Sequence, residues 1–449
     1  MVQKVKFLGS EKNNMNDETK KMIIEQLRKG TVPEEGHEAF AVGVEPVINE
    51  MIRNMDSVST GEKKGNIKFL RGNYGCGKTF VSKYALSLAR EKGFVTSFVV
   101  VSPNDTQFHN FQVVYHKICQ NFQSESSKSV GVIADALDRW FGMIEETLLK
   151  TENLSYDDPK FDEAVINRFE TELVSLLKDD VSQDFLSVIR AYFLAKQEGD
   201  IAKSGQLLSW LSGSPNVSAQ AKKFAGIKGE IDSKTALTYL KGILSIFNSA
   251  GYKGLMIIID EMETILRERR DVREKSMTGL RQITDAVESF RGSLWVFTGT
   301  EEFFDSPKGV KGLQPLHDRI GFQKVGEYVS LKQAQLELKP ANDDRLLSIS
   351  IRLRDLYPSE NKNRINEVIS NDFLKKFVGV YTDGFKGQLG VVPRIFIRGL
   401  INILDLVAEH EDFDPSKELK LPEDAKEELA RASKLADDSQ ESPYAEVAF

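Results

Sequence analysis

Cysteine is nearly missing from this chain: Cys76 and Cys119 are the only two in 449 residues, which excludes a disulfide framework and a thiolate zinc site. Histidine is almost as scarce. The five histidines are scattered, and although His109 and His116 lie seven apart on one expected helix, a core or exposed role suits them better than a metal site. Long apolar runs are also lacking, since none approaches the ~20 residues of a membrane-spanning helix. The opening stretch MVQKVKFLGSEKNNMNDETKK has no continuous apolar segment of the secretory type, so a cytoplasmic protein without membrane contact is expected. Nor is there an excess of positive charge. Sixty Lys and Arg against 67 Asp and Glu leave a net charge of −7, which opposes broad coating of nucleic acid, because such binding depends on many cationic contacts to phosphate. A local basic patch stays open.

What is present suits a soluble α/β protein with a large core: 41% hydrophobic and 28% charged residues. The segment ETKKMIIEQLRKGTVPEEG has apolar residues at helical spacing (Met22, Ile23, Leu27) and stops at Gly30 and Pro33, and a second helix is expected from about Glu45. Ile67, Phe69 and Leu70 form a short apolar run of the buried-strand type. TFVSKYALSLAREKGF then reads as a helix with Val81, Tyr84, Ala85 and Leu88 on one face, ended by Gly93. A second strand, VTSFVVVS, and a helix opening after Pro103 follow, so the pattern is strand and helix in alternation around a parallel sheet. From about Gly131 to Ser249 the periodicity is helical, which marks an insertion. The sheet resumes in GLMIIIDE and GSLWVFTGT, and helices return after Leu331.

The chemistry begins in FLRGNYGCGKTF. Gly72, Gly77, Lys78 and Thr79 match G-x-x-x-x-G-K-S/T, directly behind a strand and at the start of a helix. Glycines permit a tight loop whose backbone N–H groups turn inward, and the helix adds its positive end. Lys78 reaches the β- and γ-phosphates and Thr79 offers a hydroxyl to Mg²⁺. The loop as a whole, Gly72, Asn73, Tyr74, Gly75, Cys76, Gly77, Lys78, Thr79 and Phe80, is thus expected to hold a nucleoside triphosphate, ATP. Cys76 serves there as a small filler.

A second motif is independent of the first. Leu255 to Ile259 run apolar into Asp260 and Glu261, the arrangement in which the aspartate holds Mg²⁺ through water and the next carboxylate orients an attacking water. The competing reading is a simple helix N-cap. In LWVFTGTEEF, Thr298 or Thr300 is placed to sense the γ-phosphate, although threonine at a strand end is more often structural. A phosphoryl transition state also needs positive charge. Arg319 in PLHDRIGF and Arg394 in GVVPRIFIRGLINILD are the candidates, against the surface ion pair that is the commoner fate of an arginine.

LRKGTVPEEG, AVGVEP, FLRGNYGCGKTF, GYKGLMIIIDEMETI, LHDRIGF and VVPRIFIRG occur in an order that resembles the P-loop ATP-binding proteins of bacterial anti-phage islands, the BREX-associated family. The likeness runs from about Glu25 to Leu404 and implies an AAA+-like ATPase of the origin-recognition branch. Arg319 then resembles an arginine finger offered to a neighbouring subunit, and Arg394 a sensor-2 arginine. The resemblance further implies that Val32, Pro33, Val42 and Gly43 wall the adenine pocket, and that the partners are DNA, a helicase-like or other defence protein, and further copies of the chain. It departs from the branch in one respect: only about 40 polar residues follow Leu404, too few for a winged-helix DNA reader.

The expected division is 1–60 as N-terminal helices and base-pocket segment, and 61–330 as a P-loop ATPase core with a helical insertion over about 130–250. A helical lid over 331–410 and a polar, partly disordered tail over 411–449 complete it. The expected function is an ATPase coupling nucleotide state to assembly or remodelling on DNA; a slow-turnover oligomeric switch is the alternative. A small-molecule kinase shares the loop but has no need of the acid pair, sensor strand and late arginine. The stretch RERRDVREK is most simply a solvated helix face, with DNA contact by Arg267, Arg269 and Arg270 as the sharper reading.

Overall fold

A computed structural model describes residues 15–129, 131–151, 155–176, 181–383 and 393–420. The chain forms two compact units, with boundaries at Pro46/Val47, Arg71/Gly72, Tyr84/Ala85 and Glu337/Leu338. The tail expected to be disordered lies, from residue 421, outside the described residues.

The larger unit is built on a sheet of β1 (Gly65–Arg71), β2 (Val95–Val100), β3 (Phe122–Gln123), β4 (Leu255–Asp260) and β5 (Ser293–Gly299). Beyond a small hairpin, β6 (Lys324–Val325) and β7 (Tyr328–Val329), it is completed by β8 (Gln335–Glu337). The order is β3-β2-β4-β5-β1-β8, parallel throughout except for β3, which runs against β2. Every residue of β4 and β5 is buried, which explains their continuous apolar runs: a strand covered on both faces has no solvent side to alternate with. Leu70 pairs with Thr298 and Ile259 with Phe297, so Arg71, Asp260 and Thr298 finish along one edge. Gly72 is the next residue after β1.

Between β3 and β4 lies the insertion, helical as expected. It includes Gly131–Thr151, Phe161–Ser175, Gln183–Gln197, Ile201–Leu211, Ala219–Phe224 and Ala236–Ser249. Ser182, Asp200 and Ser218 cap three of these helices with side-chain oxygens. Phe169 stacks on Phe193 at 4.3 Å and Phe141 meets Phe193 edge-on at 4.9 Å, with Trp140 donating its indole N–H to Glu172. These rings belong to the same continuous core as Phe69, Trp295 and Phe297 of the sheet.

Three local expectations are corrected. The helix expected after Pro103 starts at Phe111, because Ser102 Oγ accepts from the amides of Asp105 and Thr106 and holds that stretch as a turn. His109 therefore lies outside the helix that carries His116, whose Nδ1 is bonded to the Ser212 carbonyl; the described residues contain no metal-binding cluster. The face of Lys78–Glu91 that is buried is Val81, Ser82, Ala85, Leu86 and Ala89, with Tyr84 and Leu88 only half-covered. After Leu331 the chain first adds β8, a three-residue strand held by pairing with β1 and by the Gln335 side chain, which donates to the Ile320 carbonyl and accepts from Arg71.

The smaller unit, besides the loop that follows β1, is helical: Asp17–Arg28, Asp343–Leu356, Lys362–Val368, Asn371–Asp383 and Pro393–Glu409. Ile23 and Leu27 share a core with Leu346, Leu353, Phe377, Phe396 and Leu404. Arg28 grips Asp405 through two 2.8 Å bonds, and Tyr357 donates to the same carboxylate at 2.6 Å.

Lys68 breaks the apolar pattern of β1 and is nonetheless buried. Its ammonium sits 3.3 Å from Glu50 and donates to the carbonyls of Leu331 (3.2 Å) and Gln333 (2.8 Å). Burial lowers its pKa and Glu50 opposes the fall. Lys68→Met takes the ammonium from Glu50, which keeps only Arg53 and Asn54 among the described residues, and from those carbonyls, and is expected to cost about 3 kcal/mol. Pairing it with Glu50→Leu recovers most of that loss; urea denaturation of the single and double variants measures both.

Candidate functional site

The glycine loop keeps its form because nothing larger than hydrogen fits at its first position. A Cβ on Gly72 would lie 2.6 Å from the Leu338 carbonyl oxygen and 2.6 Å from Cys76 Sγ. Gly77 has φ +95°, a left-handed value that a side chain would strain. Lys78 is buried, and its ammonium donates to the carbonyls of Gly72 (2.7 Å) and Asn73 (3.3 Å). Asn73 and Tyr74 are exposed on the crest, with the Tyr74 ring 5.5 Å from Lys78 Nζ; Gly75 and Thr79 are half-covered. Cys76 is buried and its thiol pKa is pushed up by that burial, so it is a neutral filler.

Beside the loop, in the same unit, run Val32, Pro33, Val42 and Gly43. The Val32 carbonyl accepts from Lys83 at 3.2 Å, which ties this segment to the helix that the loop opens. His37 stacks on Tyr84 at 5.5 Å, and Phe40 meets Phe80 at 5.3 Å. Pro33 is buried, Val32 and Val42 are half-buried, and Gly43 is exposed. Arg394, near the start of Pro393–Glu409, lays its stem against Gly30, 3.4 Å from where a Cβ would be.

Sequence inspection passed over Arg345, on the helix Asp343–Leu356. Its stem lies 3.1 Å from a Cβ position on Gly43, and its Nη2 lies 4.0 Å from that of Gly77. Nothing in ANDDRLLSIS sets this arginine apart from any other early in a capped helix, so only its surroundings reveal it.

In the larger unit a separate cluster forms at the strand ends. Asp260 is buried, and its Oδ1 accepts from Thr298 Oγ1 and, at 3.1 Å, from the Glu261 amide. That amide also lies 3.2 Å from Thr298 Oγ1. Thr300 is occupied otherwise, capping the helix Glu301–Asp305 through the Phe303 amide. Glu261 is exposed and adopts φ +63°, a backbone state that costs a non-glycine residue on the order of 1 kcal/mol and turns its side chain off the strand line. Asp260 and Glu261 thus differ in burial: one lies in the interior at the strand end, the other is exposed.

Arg319 ends the short helix Gln314–Ile320 and is ion-paired with Asp285. Arg269 and Arg270 are exposed and face Asp271 and Glu274, a solvated charged surface; Arg267 is exposed as well.

The groups present suit a triphosphate and a hard cation. The loop has no room for a side chain at Gly72, it leads into the N-terminus of the helix Lys78–Glu91, where negative charge is favoured, and Arg345 keeps a buried Nε without a partner among the described residues. Each unit also carries an oxygen of the kind Mg²⁺ prefers, the Thr79 hydroxyl in the smaller and the Asp260 carboxylate in the larger.

The parallel sheet, with a glycine loop issuing from β1 and the acid-bearing β4 separated from it by β5, defines a P-loop NTPase of the α/β class. A family model described as BREX system ATP-binding protein BrxC/D matches residues 15–423, and the chain belongs to that family. Among solved structures, the Walker-type ATPase PABY2304 of Pyrococcus abyssi is similar at 10% identity and a TM-score of 0.39, over 92% of this chain and 80% of that one, a superposition too loose to carry any argument. No curated protein matches the chain. No described helix is long and apolar enough to cross a membrane.

Gly72→Ala drives a methyl into the Leu338 backbone, which cannot retreat as a flexible side chain would. The expected result is a loss of about 2 kcal/mol of stability and of ATP binding. Thermal melting with and without ATP checks both.

Proposed function

We propose that this BREX-family ATP-binding protein hydrolyses ATP and couples its nucleotide state to assembly or remodelling on DNA with other defence proteins. The observation that carries the reading is the Asp260–Thr298–Glu261 cluster at the sheet edge where β1 passes into the glycine loop. A protein that only stores nucleotide has no use for a strained, exposed carboxylate one residue beyond a buried one.

In this reading the loop amides and Lys78 hold the β- and γ-phosphates. Val32, Pro33, Val42 and Gly43 flank the base. Thr79 and Asp260 are the Mg²⁺ residues, and the metal would screen the phosphate oxygens when bound. Glu261 orients the attacking water, and Thr298 fixes the Asp260 carboxylate while reporting the γ-phosphate. Arg394 meets the charge that develops on the transferring group. Arg319 would do so for a neighbouring copy once released from Asp285.

That last pair favours a second reading, a slow-turnover switch, because an arginine already engaged by a carboxylate is withheld from phosphate. Steady-state ATPase with and without DNA separates the two: acceleration by DNA supports remodelling, and indifference supports the switch.

Lys78→Ala is expected to abolish ATP binding. Glu261→Gln is expected to bind ATP normally and hydrolyse it about 100-fold more slowly, the scale of a lost general base. Equilibrium binding and phosphate release measure these, and unchanged turnover in both variants would remove the enzymatic reading.

A further inference from the structure

Arg345 is positioned unlike the other arginines of its unit. Arg28 holds Asp405, Arg354 holds Asp355 and Asn371, and Arg352 donates to the Ala41 carbonyl at 2.8 Å. Arg345 has no carboxylate within ion-pair distance among the described residues. The side-chain hydrogen bonds it makes there amount to a long one, 3.3 Å from Nη1 to the Lys339 carbonyl, and its Nε has no partner among those residues.

Taking a guanidinium out of water without an anion is costly, and burial here disfavours its charge enough to lower its pKa. Packing alone does not call for an arginine, since a methionine would fill the same space. The side chain is nevertheless held in place at both ends. Its backbone amide is capped by Asn342 at 3.0 Å, and its stem presses on Gly43, whose φ of +69° and lack of a side chain leave room for it. Two turns further along the same helix, Arg352 anchors the neighbouring Ala41 carbonyl, so one helical face secures this segment and presents Arg345 beside it. The guanidinium ends against Gly77 of the glycine loop.

We propose that Arg345 is a phosphate ligand carried by the lid helix, which grips the nucleotide's phosphate chain where the base-side segment at Gly43 meets the loop at Gly77. This rests on the ATP-binding reading of the same site. A guanidinium matches phosphate oxygens with paired, charge-assisted hydrogen bonds, a contact that Glu45, which acts on it only at longer range, does not make. Its neighbourhood on the base side of the loop implies that it serves ATP and ADP alike, in contrast to a residue dedicated to the γ-phosphate.

The test compares the full chain with Arg345→Met, which keeps the packing, and Arg345→Lys, which keeps the charge. ATP and ADP binding are measured by calorimetry, and melting temperature with and without each nucleotide. Arg345→Met is expected to bind both nucleotides about tenfold more weakly, with Arg345→Lys between it and the parent. Without nucleotide, Arg345→Met is expected to melt at or above the parent temperature, because an uncompensated buried charge has been removed. Parent-like affinity in Arg345→Met overturns the proposal alone. So does a lower melting temperature without nucleotide combined with an unchanged nucleotide-induced rise, which marks a structural residue. Failure of the parent protein to bind either nucleotide overturns the ATP-binding reading as well.

Discussion

The Leu338 carbonyl and any side chain at position 72 compete for the same space, and the form of the phosphate loop follows from that exclusion. With hydrogen at Gly72 the chain can leave β1, fold over Cys76 and return as a helix while its carbonyls at Gly72 and Asn73 converge on Lys78. The lysine thus closes the loop from within, and the loop delivers the chain into a helix N-terminus, the end that favours an anion. Cys76 contributes volume and no charge. A larger residue at 76 or 72 would alter a backbone whose value lies in where its N–H groups point.

Within the sheet a different economy of polar groups holds. Asp260 is a carboxylate at the end of a strand with no exposed residue, and it is tolerated because Thr298 and the Glu261 amide converge on one of its oxygens. The same hydrogen bonds that make burial affordable also fix the direction of the carboxylate. Glu261 follows in a left-handed conformation, so adjacent acids are turned to different surroundings by one backbone rotation.

The arginines show how one residue type is allotted by its neighbours. Arg71, at the end of β1, is buried between Asp305, Gln335 and the ring of Phe322, 4.2 Å away, and is structural. Arg319 is engaged by Asp285, and Arg394 lies along Gly30. Arg71 and Arg345 both keep a buried Nε without a hydrogen-bond partner among the described residues, but Arg71 has Asp305 beside it whereas Arg345 has no carboxylate within ion-pair distance there. Their local sequences do not foretell this distribution, since an arginine's role depends on which carboxylates the fold brings within reach.

Much was legible in the chain itself. Strands buried on both faces must be written as apolar runs, so β1, β4 and β5 were visible, and a loop that tolerates no side chain must be written in glycine, so the phosphate motif was visible too. The acid pair stood out because it ends such a run. What depended on distant residues was hidden. β8 has no apolar run and exists through its pairing with β1; Lys68 is buried because Glu50 and three carbonyl-bearing residues surround it; the turn at Ser102 displaced a helix start by side-chain bonding that periodicity does not register. Local sequence determined the strands, the glycine loop and the two carboxylates, because each is a requirement of backbone geometry or burial over a few consecutive residues. Tertiary structure alone decided that Thr298 bonds to Asp260, that Asp285 takes Arg319, and that Arg345 reaches Gly77, because each joins residues whose separation in the chain carries no information about their separation in space.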